Sequence, residues 1–233
     1  MSTMLSVIIS GIGPDEAAWE SVQECLRALE VQDCDEPFEV LVCAHDRARS
    51  CVPGDLTETF PQVRVLMDSN ESEATRKNLA VEAARGKIVA FLDADCRPER
   101  SWLRTLADVF HYYPETAVVS GEAPDSGLLG WLQRAAGRKR EAGPVQFTAT
   151  NNAAFRREAY LEYPLPVDAG SQAESMQTAG LRRARYVLWF EPALQVERVE
   201  PISIPEQAYP VHQTQPAFEL ASRWLRRIGP LHR

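Results

Sequence analysis

The stretch Gly86-Lys87-Ile88-Val89-Ala90-Phe91-Leu92-Asp93-Ala94-Asp95-Cys96-Arg97-Pro98 decides the reading of this chain. Ile88 to Leu92 is an unbroken apolar run with its β-branched residues first, the pattern of a strand buried on both faces. It stops at two carboxylates one residue apart. In an open α/β sheet that places Asp93 and Asp95 at a carboxyl end, where such sheets bind ligands. Two carboxylates can share a hard divalent cation, and the cation can hold a diphosphate. The same tripeptide also suits a solvated strand-end turn, where Asp is common. Pro98 is expected at the first position of a helix bearing Trp102, Leu103, Leu106 and Phe110.

Outward from this stretch, strand and helix signals alternate. Leu5 to Ile9, Phe38 to Cys43, Val63 to Met67 and Ala117 to Ser120 read as strands. Trp19, Val22, Leu26 and Leu29 recur every three or four residues, one face of a helix. Asn70 followed by Glu73 resembles a capping box opening a helix over 71–85. The rhythm predicts a mostly parallel sheet covered by helices. Later, residues 171–184 read as a helix, Tyr186 to Phe190 as a strand, and Leu194 to Val196 as a short strand. Four prolines between Pro201 and Pro216 mark a loop-rich tail before a final helix with Phe218, Trp224 and Leu225. The expected division is 1–200 and 201–233, the second part a Pro-rich loop and helix packed on the first.

With 233 residues the chain has ample length for a buried core, and its net charge of −8 argues against a nucleic-acid partner. The five cysteines form no Cys-x-x-Cys pair, which fits reduced thiols rather than a disulfide framework or zinc site. The first residues carry no basic, apolar leader pattern, so the cytoplasm is the expected compartment. Residues 123–145 combine Leu128, Leu129, Trp131 and Leu132 with Arg134, Arg138, Lys139 and Arg140. This reads as a basic amphipathic helix, suited either to peripheral membrane contact or to a solvated surface.

The order of these parts resembles the family 2 glycosyltransferases of GT-A fold. The likeness rests on Thr75-Arg76-Lys77-Asn78 to Asp95, on Asn151-Asn152-Ala153-Ala154-Phe155-Arg156-Arg157, and on Leu181 to Tyr186 followed by Phe190-Glu191-Pro192. It implies a Rossmann-like α/β domain and a nucleotide-sugar donor. The acceptor is then an unidentified glycan, lipid or small molecule, and transfer is inverting and metal-assisted. By the resemblance, Asp93 and Asp95 hold Mg²⁺ or Mn²⁺, and Lys77 and Arg76 face the phosphates. Asn152 and Arg156 border the sugar and acceptor. The family's Glu-Asp pair falls on Ala173-Glu174, which makes Glu174 the candidate base; its other reading is a surface residue of an amphipathic helix.

The chain departs from the family in three places. The first strand runs into Ser10-Gly11-Ile12-Gly13-Pro14 instead of a Pro-x-Tyr/Phe-Asn segment. Ala44 and His45 stand where the family carries nucleoside-contacting acids, with Asp46 a substitute after a shift of register. The family's late His falls on Glu197 or Arg198; Glu197 can ligate a cation, Arg198 cannot, and His212 is a distant alternative. These departures leave a second reading open: a non-catalytic protein of the same fold, acting as a partner subunit in glycan assembly.

Overall fold

A computed structural model describes residues 5–122 and 141–198. The basic segment up to residue 140, His212, and the Pro-rich tail in which a final helix is expected lie outside the described residues. The strands of the large sheet are β1 (Leu5–Ser10), β2 (Phe38–His45), β3 (Val63–Asp68), β4 (Ile88–Asp93), β6 (Thr116–Ser120), β7 (Gly143–Pro144), β8 (Asn152–Arg156) and β9 (Val187–Phe190). The helices are α1 (Glu16–Glu30), α2 (Leu56–Thr59), α3 (Glu73–Ala83), α4 (Trp102–Tyr112), α5 (Arg157–Glu162) and α6 (Ala173–Arg183). A separate ribbon pairs β5 (Cys96–Pro98) with β10 (Val196–Arg198).

The strand order is β3-β2-β1-β4-β8-β6-β9-β7. Strands β1 to β4 pair in parallel throughout. The chain steps outward from β1 to β3 and then returns to lay β4 on the other side of β1. The order therefore reverses between β1 and β4, and the crevice outside their carboxyl ends is the topological switch point. Ser10 and Asp93 are paired there, and the Ala94 N–H donates to the Ser10 carbonyl at 2.9 Å.

Strands β1, β2 and β4 are buried on both faces, which is why Ile88 to Leu92 shows no polar alternation, while the edge strand β3 is only half-buried. Leu5, Val7, Ile9, Ala90 and Leu92 pack against Trp19, Val22, Leu26 and Leu29 of α1 and Trp102, Leu103 and Leu106 of α4. Ile8, Leu41, Val89 and Phe91 pack on the other side, against Ala80 and Val81 of α3, Tyr160 of α5 and Leu181 of α6. Each large apolar side chain so buried contributes about 1.5–3 kcal/mol.

Three local expectations are corrected, and one strand is added. The helix α3 is capped by Ser72, whose hydroxyl accepts from Thr75 N–H, while Asn70 instead accepts from Ser72 N–H. Pro98 ends β5 opposite Val196 and does not open α4. The late short strand is Val196–Arg198, two residues beyond its expected start. Asn152–Arg156 forms β8, a strand antiparallel to both β4 and β6. The sheet is thus parallel over β1–β4 and again between β6 and β9, with antiparallel pairings at β8 and β7.

Candidate active site

The site grows from the switch point. β4 delivers Asp93, and a short turn carries Asp95 into the β5–β10 ribbon. Gly11, just after β1, has φ +73°, and a side chain there would lie 3.8 Å from Asp93 Oδ1. Glycine thus serves a left-handed turn beside the carboxylate.

The ribbon brings a cation to the pair. Register sets Arg198 opposite Cys96, and alternation turns its neighbour Glu197 to the exposed side. Arg198 Nη2 donates to Asp93 Oδ2 at 3.1 Å, and its Nε lies 3.2 Å from Asp95 Oδ2. Among the described residues the buried Nε–H has no aligned hydrogen-bond partner, so the contact with Asp95 is an ion pair without hydrogen-bond alignment. Of the two positions expected to replace a late His, Arg198 and not Glu197 reaches the aspartates. Its backbone is well anchored. Asn152 Nδ2 donates to the Leu194 carbonyl at 2.9 Å, and Glu99 N–H donates to the Gln195 carbonyl at 3.0 Å. A Cβ on Gly121 would come within 1.8 Å of that Leu194 carbonyl, so only glycine allows this approach.

Burial pushes the Asp93 carboxyl up, as do Asp95 and Glu73, while Lys77 and Arg198 pull it down; the net direction is upward. Asp93, Asp95 and Cys96 offer ligand atoms within 4.8 Å of one another. Cys96 is pushed up to about 12, by burial first and then by Asp95 and Asp93, so it remains a thiol and suits a hard ion poorly. The two carboxylates are the right hard donors for Mg²⁺ or Mn²⁺. Each has one oxygen engaged by Arg198.

A second group adjoins the first. Lys77, on α3, is buried; its Nζ pairs with Glu73 at 2.8 Å and donates to Thr150 Oγ1 at 2.9 Å. Thr150 Oγ1 in turn donates to Glu174 Oε1, and the Thr150 N–H donates to the same oxygen at 2.9 Å. Glu174 sits in the first turn of α6, where the helix dipole favours a carboxylate. Thr150 is therefore the joint between Lys77 and Glu174. No periodicity or motif singled it out.

Other expected residues fall differently. Asn152 is buried, and its side chain is fully engaged by Trp102 Nε1, the Glu122 carbonyl and the Leu194 carbonyl. It holds the walls of the site in place. Arg156 is not brought to the site. Because β8 runs antiparallel, it pairs with Ile88 at the opposite end of β4, where Nε and Nη2 donate to Thr116 and Phe110 carbonyls. Arg76 donates to the Asn70 carbonyl at the start of α3. His45 Nδ1 accepts from Arg47 N–H at 3.0 Å, which leaves Nε2 to donate to the Ser69 carbonyl at 3.1 Å. Asp46 pairs with Arg49 within the turn that follows β2.

Residues 15–163 match the model of glycosyl transferase family 2. The chain belongs to that family. It is 26% identical over 160 residues to the glucosyl-dolichyl phosphate glucuronosyltransferase of Haloferax volcanii, covering 62% of this chain and 50% of that protein. It is 29% identical over 89 residues to the glycosyltransferase AglE of the same organism, covering 36% of this chain and 29% of the relative. The chain thus spans half or less of the curated relatives it matches. Among solved structures, the mannosyltransferase PcManGT of Pyrobaculum calidifontis, in complex with GDP-Man and Mn²⁺, superposes with a TM-score of 0.63 at 23% identity. That likeness covers 86% of this chain and 57% of that one. Residues 1–349 of S. aureus TarS, in complex with UDP-GlcNAc, give 0.56 at 17% identity over 88% of this chain and 62% of that one. At these identities the two structures speak for the GT-A fold. Among the described residues no helix is long and apolar enough to cross a membrane.

Proposed function

We propose that this family 2 member transfers a sugar from a nucleoside-diphosphate donor to an acceptor hydroxyl, with inversion. The observation that carries the reading is the placement of Asp93 and Asp95 at the β1/β4 switch point, with Lys77 and Glu174 joined beside them through Thr150. The donor's diphosphate faces the Asp93–Asp95 end, where Lys77 supplies positive charge. When bound at that pair, Mg²⁺ or Mn²⁺ neutralises the leaving diphosphate as a Lewis acid.

The acceptor oxygen attacks the anomeric carbon on the face opposite the diphosphate. The bond to that carbon forms as the bond to the phosphate oxygen breaks, and the electron pair leaves with the nucleoside diphosphate. The acceptor proton passes to Glu174. Thr150 holds Oε1 of this carboxylate through two bonds, neither of which uses Oε2, so Oε2 is the oxygen assigned to the proton. Positioning of this kind sets rates strongly. Asn152 shapes the site by tying α4 to the Leu194 segment, not by touching sugar. The panel of donors follows from the relatives: GDP-Man, UDP-GlcNAc and a glucuronosyl nucleotide. A lipid-linked sugar phosphate heads the acceptors.

One observation favours the non-catalytic reading. Ala173, at the first position of the family's acidic pair, is buried in the core, and Ala44 is buried at the end of β2. Nucleoside diphosphate release from the donor panel separates the two readings. Turnover that disappears in Glu174→Gln while donor binding persists supports transfer. Donor binding without turnover in the natural chain supports the partner-subunit reading.

A further inference from the structure

We infer that Arg198 and a divalent cation are alternative occupants of the Asp93–Asp95 pair, so that Arg198 couples cation loading to arrival of the donor diphosphate. The second clause rests on the function proposed above; the first does not. The guanidinium takes Oδ2 of both carboxylates, at 3.1 and 3.2 Å. A cation that uses these oxygens must displace it. The displacement is local, because the β10 backbone is fixed by its pairing with β5 and by the bond to the Leu194 carbonyl. Only the side chain has to turn. The hold is also weaker than a guanidinium can make: it bridges two carboxylates with one aligned hydrogen bond instead of gripping one in a bidentate fork.

Charge explains the coupling. The groups that face Asp93 are Asp95 and Glu73, both acidic, and Lys77 and Arg198, both basic. Asp93 and Asp95 together carry two negative charges against the one of Arg198, while Lys77 is paired with Glu73, so the pair itself repels a diphosphate. A divalent cation on the pair reverses that sign, and the displaced guanidinium then has the diphosphate as its nearest anion. Each ligand therefore favours the other, as linkage requires. Arg198 is a positioning residue of the donor site, and it holds the pair closed to free cations between turnovers.

The test uses Mn²⁺ alone, titrated into the whole protein and followed by the electron paramagnetic resonance of the free ion. Arg198→Met and Arg198→Gln remove the charge and keep the stem, and the titration is read on whichever of them melts like the natural chain. Removing a unit positive charge a few ångström away is expected to raise Mn²⁺ affinity roughly tenfold or more. Arg198→Lys, which keeps the charge, stays within about threefold of the natural chain. Adding GDP or UDP tightens Mn²⁺ binding to the natural chain and does so less in the neutral variants. Mn²⁺ affinity that is unchanged or weaker in a neutral variant that melts like the natural chain overturns the inference. If neither nucleotide binds with or without Mn²⁺, the donor reading fails, while the titration with Mn²⁺ alone still decides the role of Arg198.

Discussion

At the amino end of the sheet Glu39 accepts hydrogen bonds from Ser6 Oγ at 2.8 Å, Arg85 N–H at 2.6 Å and Arg64 Nη1 at 3.0 Å. At the carboxyl end Asp93 and Asp95 divide one guanidinium that makes a single aligned bond to the pair. Burial pushes the Glu39 carboxyl up, but Arg85, Ser6 and Arg64 together bring it below the usual carboxylate range. Asp93 moves the other way. Residue types are alike at both ends; satisfaction differs. A buried carboxylate with all its donors supplied ties strands together, and a partly supplied pair retains capacity for a ligand.

The largest expected effect lies beside the carboxyl end. Glu174→Gln should lower turnover about 10²- to 10⁴-fold, measured as nucleoside diphosphate release, with the melting temperature little changed. Next comes the amino end. Glu39→Ala strands the Ser6 hydroxyl and the Arg85 N–H and should cost about 3 kcal/mol in urea unfolding, with donor affinity per folded molecule preserved. Equal stability loss from both substitutions would erase the contrast between the ends.

Gly121→Ala probes the wall between them. Its Cβ would collide with the Leu194 carbonyl and with Asn152 Nδ2, so the segment leading to Arg198 must shift. A loss of about 1–3 kcal/mol is expected, with Mn²⁺ affinity altered as well. The smallest effect is in pH. Because Glu39 is lowered in the fold, the unfolded chain binds more protons, and this group's stabilisation is complete above the unfolded value of about 4.3. It is lost as pH falls through the folded value. Glu39→Gln should therefore flatten the acid limb of the melting-temperature profile below about pH 4.5 and leave its neutral shape unaltered.

Much of this arrangement was legible in the sequence where one strand or helix carries the signal. Ile88 to Asp95 declared a doubly buried strand ending in carboxylates, and α1 and α4 showed their apolar faces. What escaped depends on contacts between distant parts. β8 escaped because Asn-Ala-Ala-Phe-Arg lacks a run of β-branched residues, and its antiparallel direction is what takes Arg156 to the far end of the sheet. The pairing of Arg198 with the aspartates escaped because Asp93 lies 105 positions away, reached only through the β5–β10 register. Pro98 read as a helix start because proline suits that position as well as the end of a short edge strand. Thr150 is one hydroxyl in a Thr-Ala-Thr run, and only the fold sets it between Lys77 and Glu174.

The account's central claim, that the carboxyl end of β4 is the donor site, is tested most directly by calorimetric titration of GDP and UDP in the presence of Mn²⁺. The natural chain and Asp95→Asn should be compared, with Glu39→Gln as the control at the other end. One nucleotide should bind the natural chain and the control alike, and roughly tenfold or more weakly to Asp95→Asn, the cost of losing one charged ligand. Equal affinity for the natural chain and Asp95→Asn would contradict the claim.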